Sequence, residues 1–208
     1  MMKNLFQILC GLFLVVSYSS CMHSEEYKVD VFIIGGGASG VTSGIQSARM
    51  GANTLILEES TWLGGMLTSA GVSAVDGNYR LPAGLWGEFK NRLSDYYGGL
   101  DSLKTGWVSN VLFEPSVGNK ILHEMVAAEN NLKVWKQACL EEVKRTGDEW
   151  VAKVKVEGQG VKTVRAKVMI DATELGDVAK MCGVKYDIGM ESRDDTHEDI
   201  APEKKNNI

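Results

Sequence analysis

The sequence predicts an α/β fold: a largely parallel sheet flanked by helices, with an antiparallel three-stranded β-meander inserted into it. Three observations carry that expectation. An apolar run from Val29 to Ile34 enters a glycine-rich turn at 35–40 and then a helical pattern. A second short run, Thr54 to Leu57, ends in an acid, Glu58. Between about 140 and 165, three strand-like runs are separated by turn residues, and Trp150, Ala152, Val154 and Val156 place apolar residues at every second position. Continuous apolar runs mark strands buried on both faces of a parallel sheet, whereas alternation marks antiparallel strands with one face in water.

The first unit also carries a chemical message. Residues 29–40 read V-D-V-F-I-I-G-G-G-A-S-G, with Gly35, Gly37 and Gly40 in the G-x-G-x-x-G register and Gly36, Ala38 and Ser39 between them. Strand, glycine turn, helix, strand and acid in this order form the Rossmann-like dinucleotide-binding arrangement. Gly35 permits the tight turn, Gly37 lets a pyrophosphate approach the backbone, and Gly40 lets the helix pack on the strand. The helix N-terminus points unpaired N–H groups and a partial positive charge at the phosphates. Glu58, followed by Glu59, lies 18 residues past Gly40, close to the roughly 20 expected for the acid that grips a ribose hydroxyl. An acid there repels a 2′-phosphate, which disfavours NADP and leaves NAD and FAD open.

The remaining elements follow from pattern. Val41, Ile45 and Ala48 fall on one helical face, and Gly51 is a stop. Residues 63–78, rich in small residues, read as extended or looped. Leu85, Trp86, Phe89 and Leu93 predict a helix over about 84–96, with a loop over 97–110. Pro115 opens another helix, at a position where proline is tolerated, and Val117, Ile121, Leu122, Met125 and Val126 give it an apolar face. Residues 132–137 read as a third strand. The meander runs at 140–145, 150–156 and 161–165 have turns at Gly147-Asp148 and at Gly158 and Gly160. A separate returning strand, Ala166 to Ile170, then leads into D-A-T-E-L-G-D, Asp171 to Asp177, with a helix starting near Glu174.

Both ends carry expectations of their own. Leu5 to Val16 is almost wholly apolar behind Lys3, and Ser17 to Ser20 is mostly small, so 1–20 read as a secretory signal, too short for a good membrane span. Cys21 sits at the expected cleavage point, as in a bacterial lipoprotein signal, although Tyr18 and Ser20 depart from the usual residues there. Residues 21–28 read as a polar tether and 29–190 as the folded domain. Residues 191–208 read as a charged loop, from which the chain is expected to be the front portion of a longer protein. Ordinary composition and a net charge of −5, with no basic stripe, exclude nucleic acid as a partner. No metal-ligand spacing appears; Cys139 and Cys182 read as free thiols rather than a disulfide pair.

Two further features separate FAD from NAD. Gly64-Gly65 follows Glu58 by six residues, where many flavoproteins place a paired glycine because the chain passes close to the cofactor. The meander is then followed by an apolar strand ending in D-A-T, whereas a nicotinamide dehydrogenase would continue with alternating helices and strands. With W-L-G-G-M-L-T-S-A-G and I-D-A-T-E-L-G-D, the fingerprint segment resembles exported or lipid-anchored bacterial FAD-dependent oxidoreductases of glutathione-reductase-like fold. The resemblance implies that Gly35, Gly37 and Gly40 hold the FAD pyrophosphate and Glu58 the adenosine ribose. It implies that Gly64, Gly65 and Met66 run beside the cofactor, and that Leu140 touches the adenine region through its backbone. Asp171, Ala172 and Thr173 would line the cofactor, with Gly176 and Asp177 close behind. The implied activity is hydride or electron transfer between a small-molecule substrate and the flavin, with an unidentified electron acceptor. No catalytic residue is identifiable, membrane contact would come only through a lipid anchor, and the location would be periplasmic or at the outer membrane. Residues 1–208 by themselves are expected to bind FAD poorly and turn over nothing. The alternatives are an NAD-binding dehydrogenase and a non-catalytic truncated surface lipoprotein.

Overall fold

The computed structural model describes residues 26–206. The signal at 1–20, Cys21 and the tether up to residue 25 lie outside the described residues. Strand β1 (Glu26–Ile34) begins three residues earlier than the apolar run, so Glu26, Tyr27 and Lys28 belong to the sheet rather than to a tether. They are drawn in because β1 pairs in parallel with β6 (Gly160–Asp171) from Glu26↔Thr163 onward. Glu26 also accepts a hydrogen bond from Arg165 at 2.8 Å.

The other strands are β2 (Thr54–Leu57), β3 (Leu132–Trp135), β4 (Ala138–Thr146) and β5 (Glu149–Val156). All six form one sheet in the order β3-β2-β1-β6-β5-β4. The pairs β3–β2, β2–β1 and β1–β6 are parallel, and β6–β5 and β5–β4 antiparallel. The meander's third strand and the returning strand, expected as two pieces, are therefore one 12-residue strand. Nothing between Arg165 and Ala166 turns the chain; only the neighbours change along its length. The meander also starts earlier than expected, at Ala138, and carries a bulge between Leu140 and Glu142.

Helix α1 (Ala38–Arg49) follows β1, α2 (Gly84–Tyr97) and α3 (Pro115–Ala127) lie between β2 and β3, and the short α4 (Asp177–Met181) and α5 (Arg193–Thr196) come after β6. Short 3₁₀ turns at Gly65–Leu67 and Leu100–Leu103 interrupt the stretches expected as loop. The helix expected near Glu174 starts at Asp177, because Gly176 adopts a left-handed conformation and caps it. Within 191–206, Ser192 and Asp195 form a capping box for α5, and Met190 pairs with Asn206.

The central strands bury both faces, as their apolar runs require. Ile33 and Ile56 join Val41, Ile45, Phe89, Leu93, Ile121, Leu122 and Met125 in a core under the helices. Their neighbours Phe32, Ile34, Leu55 and Leu57 join Ala152, Val154, Val156, Val164 and Ala166 in a second core against the meander. Each fully buried Ile, Leu or Phe contributes roughly 1.5–3 kcal/mol. In β5, Lys153 and Lys155 are exposed between the buried Ala152, Val154 and Val156, so the alternation read from the sequence holds. Among the described residues no helix is long and apolar enough to cross a membrane. Cys139 and Cys182 are free thiols.

Candidate functional site

The carboxyl ends of β1, β2 and β6 converge on one edge. The Gly35 N–H donates to Leu57 O at 2.9 Å, and the Ala172 N–H to Ile34 O at 2.8 Å. The three turns leaving these strands are thereby locked side by side. In an open parallel sheet this is the ligand-binding edge.

The glycines divide into those the fold needs and one it does not. A β-carbon on Gly40 would stand 1.8 Å from the Gly35 carbonyl oxygen, and one on Gly35 (φ +104°) 2.2 Å from that of Ala172. Both contacts are with backbone, which cannot yield. A β-carbon on Gly44, one helical turn beyond Gly40, would meet Ile56 Cδ1 at 2.5 Å, so α1 lies close on β2. Gly37 differs. A β-carbon there would meet only Glu174 Oε1, at 3.2 Å, and the backbone is at φ −64°, which any residue can adopt. Only that movable carboxylate stands in front of Gly37; no backbone or core side chain fills the space. Gly37 is also the N-cap of α1 and supplies no side-chain cap, so the first amides of the helix keep their capacity to bind an anion.

The Gly64-Gly65 pair closes the other side of this cradle. Gly64 bridges to Gly37, and its N–H donates to Gly36 O at 2.8 Å. Leu63, just before the pair, donates its N–H to Asn119 Oδ1 on α3 at 2.9 Å, and Thr68 Oγ1 bonds back to Leu63 O at 2.5 Å. The loop is therefore pinned from both ends.

Glu58 stands at the end of β2 with its carboxylate turned into the fingerprint. Gly36 N donates to Oε2 and Ser60 N to Oε1, each at 2.7 Å. These bonds fix the orientation of the acid, and each oxygen keeps a second lone pair for a ribose hydroxyl. Gly36 is required for this: a β-carbon there would fall 2.7 Å from Glu58 Oε2.

On the β6 side, Asp171 organises the turn. Its Oδ1 accepts from Thr173 N at 3.0 Å and Thr173 Oγ1 at 2.6 Å, and its Oδ2 from Ala179 N at 2.8 Å. Burial pushes the carboxyl up, but the Thr173 hydroxyl and the amides of Ala179, Thr173 and Val178 outweigh it and hold the group below the usual aspartate range. Cys182 nearby is pushed up by burial and by the Asp171 charge, which makes it a poor nucleophile. His123 is lowered by burial and by Lys136, and does not line the cleft.

These turns enclose a cleft of about 310 Å³. Of the residues expected from sequence, Gly35, Gly37, Glu58, Glu59, Gly65, Leu140, Ala172, Thr173 and Asp177 line it. Gly36, Gly40, Gly64, Asp171 and Gly176 stand behind the lining and shape it, while Ala38 and Ser39 are exposed on the first turn of α1. Met66 is outside the lining and 57% exposed. Sequence reasoning missed Ile34, Leu57, Ser60, Ser69, Ala138, Glu174 and Leu175. Glu174 and Leu175 sit inside the D-A-T-E-L-G-D motif and Ser60 beside Glu58, so adjacency was the available signal. Ser69 sits inside the quoted 62–71 motif, and only Ala138 arrives by tertiary folding alone. Among the described residues, no lysine, arginine or histidine lines the cleft. A diphosphate would be met by backbone amides and the α1 dipole, and a ribose by Glu58. That donor set fits a dinucleotide.

A model of the FAD dependent oxidoreductase family matches residues 30–206. The chain belongs to that family. FAD is its cofactor, and the family is one of FAD-dependent oxidoreductases. Solved structures share the fold. The flavoprotein/dehydrogenase from Cytophaga hutchinsonii is 18% identical with a TM-score of 0.56, the match covering 75% of this chain and 42% of that one. OxyS anhydrotetracycline hydroxylase from Streptomyces rimosus is 14% identical with a TM-score of 0.56, over 78% and 36%. The flavin-dependent monooxygenase PieE, in complex with FAD and substrate, is 14% identical with a TM-score of 0.53, over 81% and 34%. The chain thus spans less than half the length of these structures. No curated protein matches it.

Proposed function

We propose that this family member holds FAD in the cleft between Gly37, Gly65 and Glu58 and uses it to exchange a hydride or electrons between a small-molecule substrate and a separate acceptor. The observation that carries the reading is the cradle at Gly37: it is flanked by helix amides without a side-chain cap, bordered by Gly65, and covered only by the movable Glu174 carboxylate, where the fold itself has no need of glycine. Bound there, the flavin supplies two-electron chemistry, and the protein supplies orientation and tuning. Gly37 and the first α1 amides would receive the diphosphate. Glu58, fixed by Gly36 and Ser60, would orient the adenosine ribose, and Ala138 and Leu140 would border the adenine end.

Leu175 lines the cleft and is 87% exposed, and Val184, Tyr186, Ile188 and Met190 are all more than half exposed nearby in sequence. We read this as surface that a substrate-binding segment outside this sequence covers. On that reading the stretch described here holds FAD weakly and is inactive alone. Export and a lipid anchor at Cys21 complete the proposal, and membrane labelling with a radiolabelled fatty acid would test them. The cofactor assignment is tested by heating the purified intact protein and separating the released flavin: stoichiometric FAD supports it, and a colourless protein that instead binds NADH would overturn it.

A further inference from the structure

The carboxylate of Glu174 lies over the cradle. Its Oε1 would be 3.2 Å from a β-carbon on Gly37 and 3.0 Å from one on Gly65, so it sits between the two glycines that border the phosphate space. This position is built rather than incidental. Ala172 is hydrogen-bonded to the end of β1, and Thr173 is tied to Asp171 from two atoms, so the backbone leading into Glu174 is held. Beyond it, Asp177 N donates to Thr173 Oγ1 at 2.9 Å, which fixes the exit of the turn. Residue 174 itself is exposed, and its long side chain can rotate aside. Helix α1 has no acidic residue in its first turn, so Glu174 brings a carboxylate to its N-terminus from another element.

We propose that Glu174 is a gate that competes with the cofactor's diphosphate for the Gly37–Gly65 cradle. A carboxylate and a phosphate cannot share that space, because they clash and carry like charge. Each dinucleotide must displace the side chain, so the apparent affinity is reduced by the fraction of time the gate is closed. FAD offsets that cost through its adenosine and flavin contacts. A bare pyrophosphate bears the same cost without those contacts, so its already weaker binding is lowered by the same factor.

This inference rests on the FAD reading above. It is tested on apoprotein made from the intact chain, with FAD affinity read by flavin fluorescence and inorganic pyrophosphate by competition. Glu174→Ala is expected to tighten both by about three- to tenfold, the range set by a charge at a helix terminus, with Glu174→Gln intermediate. Asp148→Asn removes the same charge at the exposed 147–148 turn, away from the cleft, and is expected to change neither affinity. Affinities that are unchanged or weaker in Glu174→Ala, or equally tightened by Asp148→Asn, would overturn the gate while leaving the flavin assignment intact. If neither wild type nor variant binds FAD, the assignment and the gate fall together.

Discussion

Gly37 and Gly40 belong to one fingerprint, yet the structure gives them different tasks, and mutation separates them. An alanine at 40 drives its methyl group into the Gly35 carbonyl. Gly40→Ala is expected to cost about 1–3 kcal/mol or more in urea denaturation, whatever its effect on cofactor. An alanine at 37 meets only the movable end of Glu174 and suits the backbone there. Gly37→Ala is expected to keep a near-wild-type urea midpoint while FAD binding weakens by about tenfold or more, since the methyl group fills the phosphate space. A loss of stability as large as that of Gly40→Ala would show instead that Gly37 serves the fold. The structural tasks of Gly35 and Gly40 were legible because their spacing is a local property. That of Gly36 was not, because its reason is the Glu58 side chain, which only the folded sheet brings beneath it.

The turn after β6 is an element in its own right, and its stability should follow pH. Asp171 is held below its unfolded value by the bonds it accepts, so its contribution is complete above the ordinary aspartate range and disappears as pH falls through the folded value. Wild type should lose this increment below about pH 4. Asp171→Asn should be about 1–3 kcal/mol less stable at neutral pH, with a flatter acid limb in urea midpoints measured across pH. Equal slopes for both proteins would refute the role. Lys90 does similar work elsewhere: buried on α2, it donates to the carbonyls of Tyr79 at 2.7 Å and Leu81 at 2.9 Å. Lys90→Met is expected to expose the 77–83 loop to limited proteolysis at concentrations that spare wild type.

The helices α1, α2 and α3 could be read from the sequence because each has an apolar face repeating at the helical period. The single strand β6 could not, since residues 160–166 pair antiparallel with β5 while residues 163–171 pair in parallel with β1, so its surroundings change along its length. The absence of any turn residue near Arg165 and Ala166 was the only local hint. Glu26 to Lys28 were misread as tether for a related reason: their polar side chains suit a strand end that faces water on one side and Arg165 on the other.

Strand order is what makes a site of these parts. Placing β1 between β2 and β6 brings together the fingerprint turn, Glu58 and the Asp171 turn, three segments far apart in the chain. The core on either side holds that edge in place, and the meander extends the same sheet and brings Ala138 and Leu140 to the cleft. The claim on which all of this depends is that FAD is held at the Gly37 cradle. The most direct test is to purify the intact protein with and without Gly37→Ala, and to measure the flavin that each releases on heating. We expect about one FAD per chain from wild type and almost none from a variant that unfolds at the same urea concentration. Equal FAD in both proteins, or none in wild type, would contradict the account.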